Sequence, residues 1–223
     1  MATDDSSTPA PPIATRSTDS GLSAFLTPER LKMLGIGAVA IAVVGGGFWF
    51  AKVTGDRKES FAAAALEQAR NTAEQGDMGK AVQEFERVTA QYAGTGASHE
   101  ATLGIAQARL VAGQAELAIS ALQTYLASNP PATYASPANG LLGTGLENTG
   151  KFADAEAAYR KAAELATLDF LKATLLLDAA RAARLAGRTA EARAIYEEIV
   201  AKYGETAAKT EAEVRLGELT AAG

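Results

Sequence analysis

Gly150-Lys-Phe-Ala-Asp-Ala155 is one of four stretches built alike. Gly76-Asp-Met-Gly-Lys-Ala81, Gly113-Gln-Ala-Glu-Leu-Ala118 and Gly187-Arg-Thr-Ala-Glu-Ala192 share its pattern of Gly, four residues, Ala. A large side chain stands four residues after each alanine: Phe85, Leu122, Tyr159 and Tyr196. The glycines fall at 76, 113, 150 and 187, so the spacing is 37 residues three times in succession. A fixed period of this size predicts stacked helical repeats. Within a unit, Gly ends a first helix, because a helix C-terminus commonly closes in a left-handed turn that glycine enters cheaply. Ala marks the place where a second helix crosses the first. The large residue one turn on fills the space between units. Neither helix can bury its apolar stripe alone, and the next unit completes it.

These residues resemble the tetratricopeptide repeat (TPR), whose unit is a helix–turn–helix of about 34 residues. Leu142-Gly143 with Gly150, Ala155, Tyr159 and Ala162 matches best, and Ile105-Ala106 with Gly113, Ala118, Leu122 and Pro130 comes next. The first and fourth units carry Gln68-Ala69 and Ala179-Ala180 at the Leu-Gly position. The family's early Trp and mid-helix Tyr are missing throughout, and the longer period must lengthen a helix or a connection. The resemblance runs from near Ser60 to the C-terminus.

The expected fold class is all-α: a TPR-like solenoid of about four helix pairs plus a capping helix, preceded by one transmembrane helix and a disordered tail. Helix pairs are expected at 58–75 and 79–92, 98–111 and 115–127, 137–148 and 152–166, and 170–185 and 189–203. Asn129-Pro130-Pro131 is a stop. The solenoid is placed at 58–223, with units near 62–95, 99–132, 136–169 and 173–206 and a capping helix at 207–221, where Leu216-Gly217 falls in repeat register.

Residues 1–27 read as a disordered tail. Met1–Ser20 is mostly Ser, Thr, Asp, Pro and Ala, too polar to offset its ordering entropy. Thr27-Pro28-Glu29 then supplies a helix start: a cap, Pro at the first position, an acid in the first turn. The segment 28–54 is expected to span a membrane. Met33 to Ala51 is 19 residues without a charge, roughly 28 Å of helix against a hydrocarbon core of about 30 Å. Phe48-Trp49-Phe50 suits an interfacial aromatic belt. The bulky aromatics and the long polar tail argue against a cleaved signal peptide, and the lack of a polar face argues against a buried soluble helix. Ala38, Ala42 and Gly46 form a small-residue row that permits close helix contact; small residues are also common in membrane spans generally. Lys and Arg are about equal on the two flanks, so charge does not set orientation.

Composition narrows the function. The net charge is −5, which argues against a general nucleic-acid surface. There is no cysteine, so thiolate catalysis and Cys-based metal sites are excluded. Gly145-Leu-Glu-Asn-Thr-Gly150-Lys151 imitates a phosphate loop, but Phe152 stands where Mg²⁺ needs Ser or Thr, and a repeat turn explains it. His99, the single histidine, has Glu100 beside it but no nucleophile to serve, and belongs to the first turn of a helix. Glu84, Glu86, Asp154, Glu156, Glu197 and Glu198 read as solvated faces of second helices. No catalytic, cofactor or metal signature emerges, and no enzyme is expected.

Binding is what remains. The TPR resemblance implies that first helices line a concave groove for partner peptides. Register places Leu66 and Arg70, Leu103 and Gln107, Gly140 and Thr144, Leu177 and Arg181 there, one turn apart. Leu66, Leu103 and Leu177 in equivalent positions make the groove partly apolar, or they are ordinary packing; both readings stand. The Lys-and-Asn clamp some TPR domains use for a terminal carboxylate is absent. The layout as a whole is similar to bacterial membrane-anchored TPR proteins such as the ancillary SecYEG translocon subunit family. That resemblance implies a single-pass inner-membrane protein with a periplasmic domain that contacts translocon or chaperone proteins. A self-associating envelope scaffold is the alternative, with the span and groove occupied by further copies.

Overall fold

A computed structural model describes residues 52 and 54–221. The chain divides into two units, residues 1–54 and 55–223. The tail at 1–27, nearly all of the span at 28–54, and with it Ala38, Ala42 and Gly46, lie outside the described residues. No helix among the described residues is long and apolar enough to cross a membrane.

The described residues form nine α-helices and no strand. The helix α1 covers 54–74. It is followed by α2 (Met78–Gln91), α3 (Gly96–Val111), α4 (Ala115–Ala127), α5 (Ala132–Asn148), α6 (Phe152–Leu165), α7 (Asp169–Leu185), α8 (Thr189–Lys202) and α9 (Ala207–Ala221). Consecutive helices pack on one another, α3 also touches α5, and α7 touches α9. The architecture is a TPR-like helical solenoid.

The repeat glycines do what the spacing predicts. Gly76, Gly113, Gly150 and Gly187 have φ of 87°, 73°, 73° and 78°. In the last three units the turn closes as a Schellman motif, with two backbone bonds reaching back into the helix. The N–H of Gly113 donates to Leu110 O and that of Gln114 to Arg109 O, and Gly150–Lys151 and Gly187–Arg188 repeat the pair. The first unit differs. There Asp77 Oδ1 accepts from Lys80 N at 3.0 Å and caps α2 from outside.

Packing follows the same period. Ala81, Ala118, Ala155 and Ala192 are all fully buried. Phe85, Leu122, Tyr159 and Tyr196 are buried one turn further along each second helix. Facing them on the first helices are Ala69, Ala106, Gly143 and Ala180, buried at the same spacing. Small residues at this position let the two helices approach closely. The extra length of the unit goes into the first helices: α5 and α7 have 17 residues each, α6 and α8 have 14. The last helix is held least, with only Ala208 and Ala212 buried.

Two expectations need correction. The helix α5 begins at Ala132 rather than 137, so Pro137 sits inside it. The bond that Pro137 cannot make would have gone to Thr133, an exposed residue in the first turn where water can take the carbonyl. Glu84 and Glu156 are buried, not solvated. Glu84 accepts the Thr72 hydroxyl at 2.6 Å, and Glu156 is held by Arg160 at 2.5 Å and by Arg188 from the next unit. A buried carboxylate is tolerable when charged or hydroxyl donors replace its water. Glu86, Asp154 and Glu197 are exposed as expected.

Candidate functional site

First helices of neighbouring units are tied by ion pairs across their shared face. Arg70 on α1 pairs with Glu100 on α3 and, at 2.6 Å, with Glu67 on its own helix. Three units on, Arg181 on α7 donates to both oxygens of Glu147 on α5, at 2.9 and 3.0 Å, and to Asp178 at 2.7 Å. Carboxylates of the protein itself therefore already occupy both arginines of the expected groove.

Glu147 also accepts the Tyr159 hydroxyl at 3.0 Å. The Arg181 hydrogen bonds, with Tyr159 adding to them, hold its carboxyl below the ordinary carboxylate range despite burial. Asp178 goes the other way: burial raises its pKa beyond what Arg181 can offset. Burial pushes the Tyr159 hydroxyl up to about 12, so it stays a neutral donor at physiological pH.

The seven sequence-predicted groove residues fall into three groups. Arg70, Leu103 and Gln107 converge on one pocket of about 440 Å³ between α1, α2 and α3. Leu177 and Arg181 meet at a smaller recess of about 120 Å³, beside Tyr196 and Arg215. Leu66 and Thr144 line neither. Leu66 is only 4% exposed and packs in the apolar cluster with Ala62, Phe85 and Ile105. Thr144 spends its hydroxyl hydrogen on Gly140 O at 3.2 Å, and its oxygen lies 3.2 Å from the Tyr159 hydroxyl. Gly140 has Leu175 as its neighbour and contributes no side chain.

The larger pocket has features that register alone did not bring forward. Met78 at the start of α2 and Val111 at the end of α3 both line it, and Val111 is 65% exposed. Its floor is where Gly104 meets the ring of Phe85, so close that a Cβ on the glycine would stand 2.8 Å from two ring carbons. Glu74 and Glu100 stand at its wall. Glu74 is exposed and has no hydrogen bond or ion pair among the described residues. In the last turn before the repeat glycine the units carry Glu74, Val111, Asn148 and Leu185, so an apolar residue stands there in the second and fourth.

A second concavity, of about 310 Å³, lies where the start of α5 meets the connection from α6 to α7. It is mostly apolar; Leu168 is exposed on that connection, and Phe170 and Leu171 are exposed in the first turn of α7, where Leu171 lines the concavity. His99 takes part in neither pocket. Its Nδ1 is 2.9 Å from the Tyr125 hydroxyl and its ring stacks on Tyr134 at 4.7 Å. The contacts join three successive helices, α3, α4 and α5.

Comparison with known proteins agrees with the architecture. A TPR-like domain model matches residues 50–173, and a second TPR model matches 141–206. Two crystal structures of a putative kinesin light chain with nearly identical TPR-like repeats, from Podosopora anserina, share the fold. Each is 19% identical with a TM-score of 0.59, and covers 72% of this chain; the shares of those chains covered are 86% and 85%. No curated protein sequence matches the chain. Since the first family model takes in more than half of the sequence, the protein belongs to the tetratricopeptide repeat-like family, whose domains generally mediate protein–protein interaction.

Proposed function

We propose that the protein is a membrane-tethered interaction module without catalytic activity, its solenoid on the periplasmic side of a bacterial inner membrane. Residues 28–54 form the single span, and client or partner polypeptides bind along the face made by the first helices. Translocon or periplasmic chaperone proteins are the partners the layout suggests. One observation carries the binding site: Arg70, Leu103 and Gln107, chosen by repeat register, converge on a single pocket of about 440 Å³. The charge-free run Met33–Ala51 with Phe48–Phe50 supports the tether. The acidic balance speaks against nucleic acid as ligand.

The test is a photo-crosslinking residue at Gln107 of the full chain, irradiated in native membranes. Discrete adducts are expected, absent when the probe sits at exposed Ala153 on a second helix. Equal labelling from both positions would overturn the groove. Carbonate should leave the chain in the membrane pellet, and protease added to spheroplasts should digest the solenoid; release or protection would overturn the tether or its orientation.

A self-associating scaffold is the second reading. The exposed Leu168, Phe170 and Leu171 beside an apolar concavity favour it, because surface apolar groups gathered in one place mark contact sites. A concentration-dependent mass in solution that Phe170→Asp abolishes would establish it over the monomeric module.

A further inference from the structure

The pocket between α1, α2 and α3 has a charge pattern as well as a shape. Its single guanidinium, Arg70, is committed to Glu67 and Glu100. Glu74, one turn further along the same face of α1, is a carboxylate with no hydrogen bond or ion pair among the described residues. Acid therefore exceeds base around the opening, and the surplus charge is the one that is free to bind. Ala73, Met78, Phe85, Leu103 and Val111 give the interior an apolar side, with Gln107 among them. Leu103 and Met78 are half-buried there, and Val111 is largely exposed. Gly104 sets the depth, since any side chain at that position would collide with Phe85.

Resting on the interaction-module reading, we infer that this pocket takes a large apolar side chain of a partner segment flanked by lysine or arginine, the cation pairing with Glu74. An apolar anchor buried against Leu103, Met78 and Val111 supplies the affinity. The unpaired carboxylate supplies selection, attracting a flanking cation and repelling a flanking acid. Arg70 does not reverse this preference. A ligand carboxylate would have to displace Glu67 or Glu100 from it, and the displaced group would then stand unpaired beside the new charge.

The probes are two capped ten-residue peptides that share a central leucine and differ only in whether its neighbours are lysine or glutamate. Their binding to the purified full chain is read by fluorescence anisotropy. The lysine peptide is expected to bind about tenfold tighter at low salt, with the gap narrowing as salt screens it. Glu74→Lys, an exposed and fold-neutral change, should reverse the order. Val111→Ser should weaken both peptides by about fivefold, the loss of one partly buried apolar contact. Equal affinities, a preference that survives Glu74→Lys, or no binding by either peptide up to about 1 mM would each overturn the inference. Gln107 crosslinks that persist while the peptides bind without charge preference overturn this inference alone; loss of the crosslinks overturns the reading beneath it.

Discussion

Gly143 and Tyr159 are in direct contact: a Cβ added to the glycine would stand 2.7 Å from two carbons of the tyrosine ring. The ring cannot yield easily. Its hydroxyl is held at 3.0 Å by Glu147, and the residue is buried where α5 meets α6. Gly143→Ala should therefore cost about 1–3 kcal/mol, the range for overpacking a closed site. Gly217 in α9 has nothing within 4 Å of its Cβ position, so Gly217→Ala should be neutral or stabilising by up to about 1 kcal/mol. Chemical denaturation of the two variants checks the contrast, and similar midpoints would refute it.

Ala155→Leu should destabilise by about 1–3 kcal/mol, because Ala155 is fully buried at the helix crossing. Ala153→Leu, two residues earlier and exposed, should lie within about 0.5 kcal/mol of the parent. Thermal melts of both chains decide it.

Leu66 and Leu103 share a repeat position but should respond differently to truncation. Leu66→Ala should cost about 2–4 kcal/mol, since the side chain is enclosed by the first apolar cluster. Leu103→Ala, half-buried at the pocket, should cost less than half as much. A urea titration that ranks them the other way would show that the pocket is closed in solution.

The ion-pair cluster on α5 and α7 predicts an acid-sensitive stability. Glu147 has a depressed folded pKa, so its contribution is present above the ordinary carboxylate value and is lost as pH falls through the folded one. Glu147→Gln should cost about 1 kcal/mol at pH 7, modest because Arg181 is 44% exposed and solvent screens it. That difference should close as the pH is lowered below about 4. Asp178 carries the opposite sign. Its raised pKa means that ionisation opposes folding, so Asp178→Asn should leave stability at pH 7 unchanged or higher. Urea midpoints measured across pH for the three chains test both signs.

Much of this fold could be read from the chain because its strongest signals are local and recur. A glycine that must adopt positive φ, an alanine at a crossing and a large residue one turn on are each dictated within six to ten residues, and α4 and α9 fall where the pattern put them. The helix α5 starts earlier than the expected 137, because Asn129, at φ 53°, and Pro131 have already turned the chain into it, and an internal Pro137 gives no signal of that. The site was less legible. Glu67 and Asp178 stand three residues before Arg70 and Arg181, a visible pairing that satisfies the very donors chosen for a ligand. The burial of Glu156 by Arg188 depends on which residues two units set face to face, and no window of sequence shorter than a unit contains that fact.

The thin packing of α9 sets where this molecule begins to come apart. Two buried alanines, the half-buried Leu216 and Leu219, and the Arg193 bonds to Leu219 O and Thr220 Oγ1, at 3.3 and 3.4 Å, retain it. In a stack where each unit leans only on its neighbours, opening starts at the end that is least held and works inward. Once α9 lifts away, the covered side of Tyr196 meets water, and the fourth helix pair becomes the new frayed edge. Amide exchange and proteolytic nicking should therefore advance as a front from the C-terminal side, so the lifetime of the array is governed by its last helix more than by its average packing.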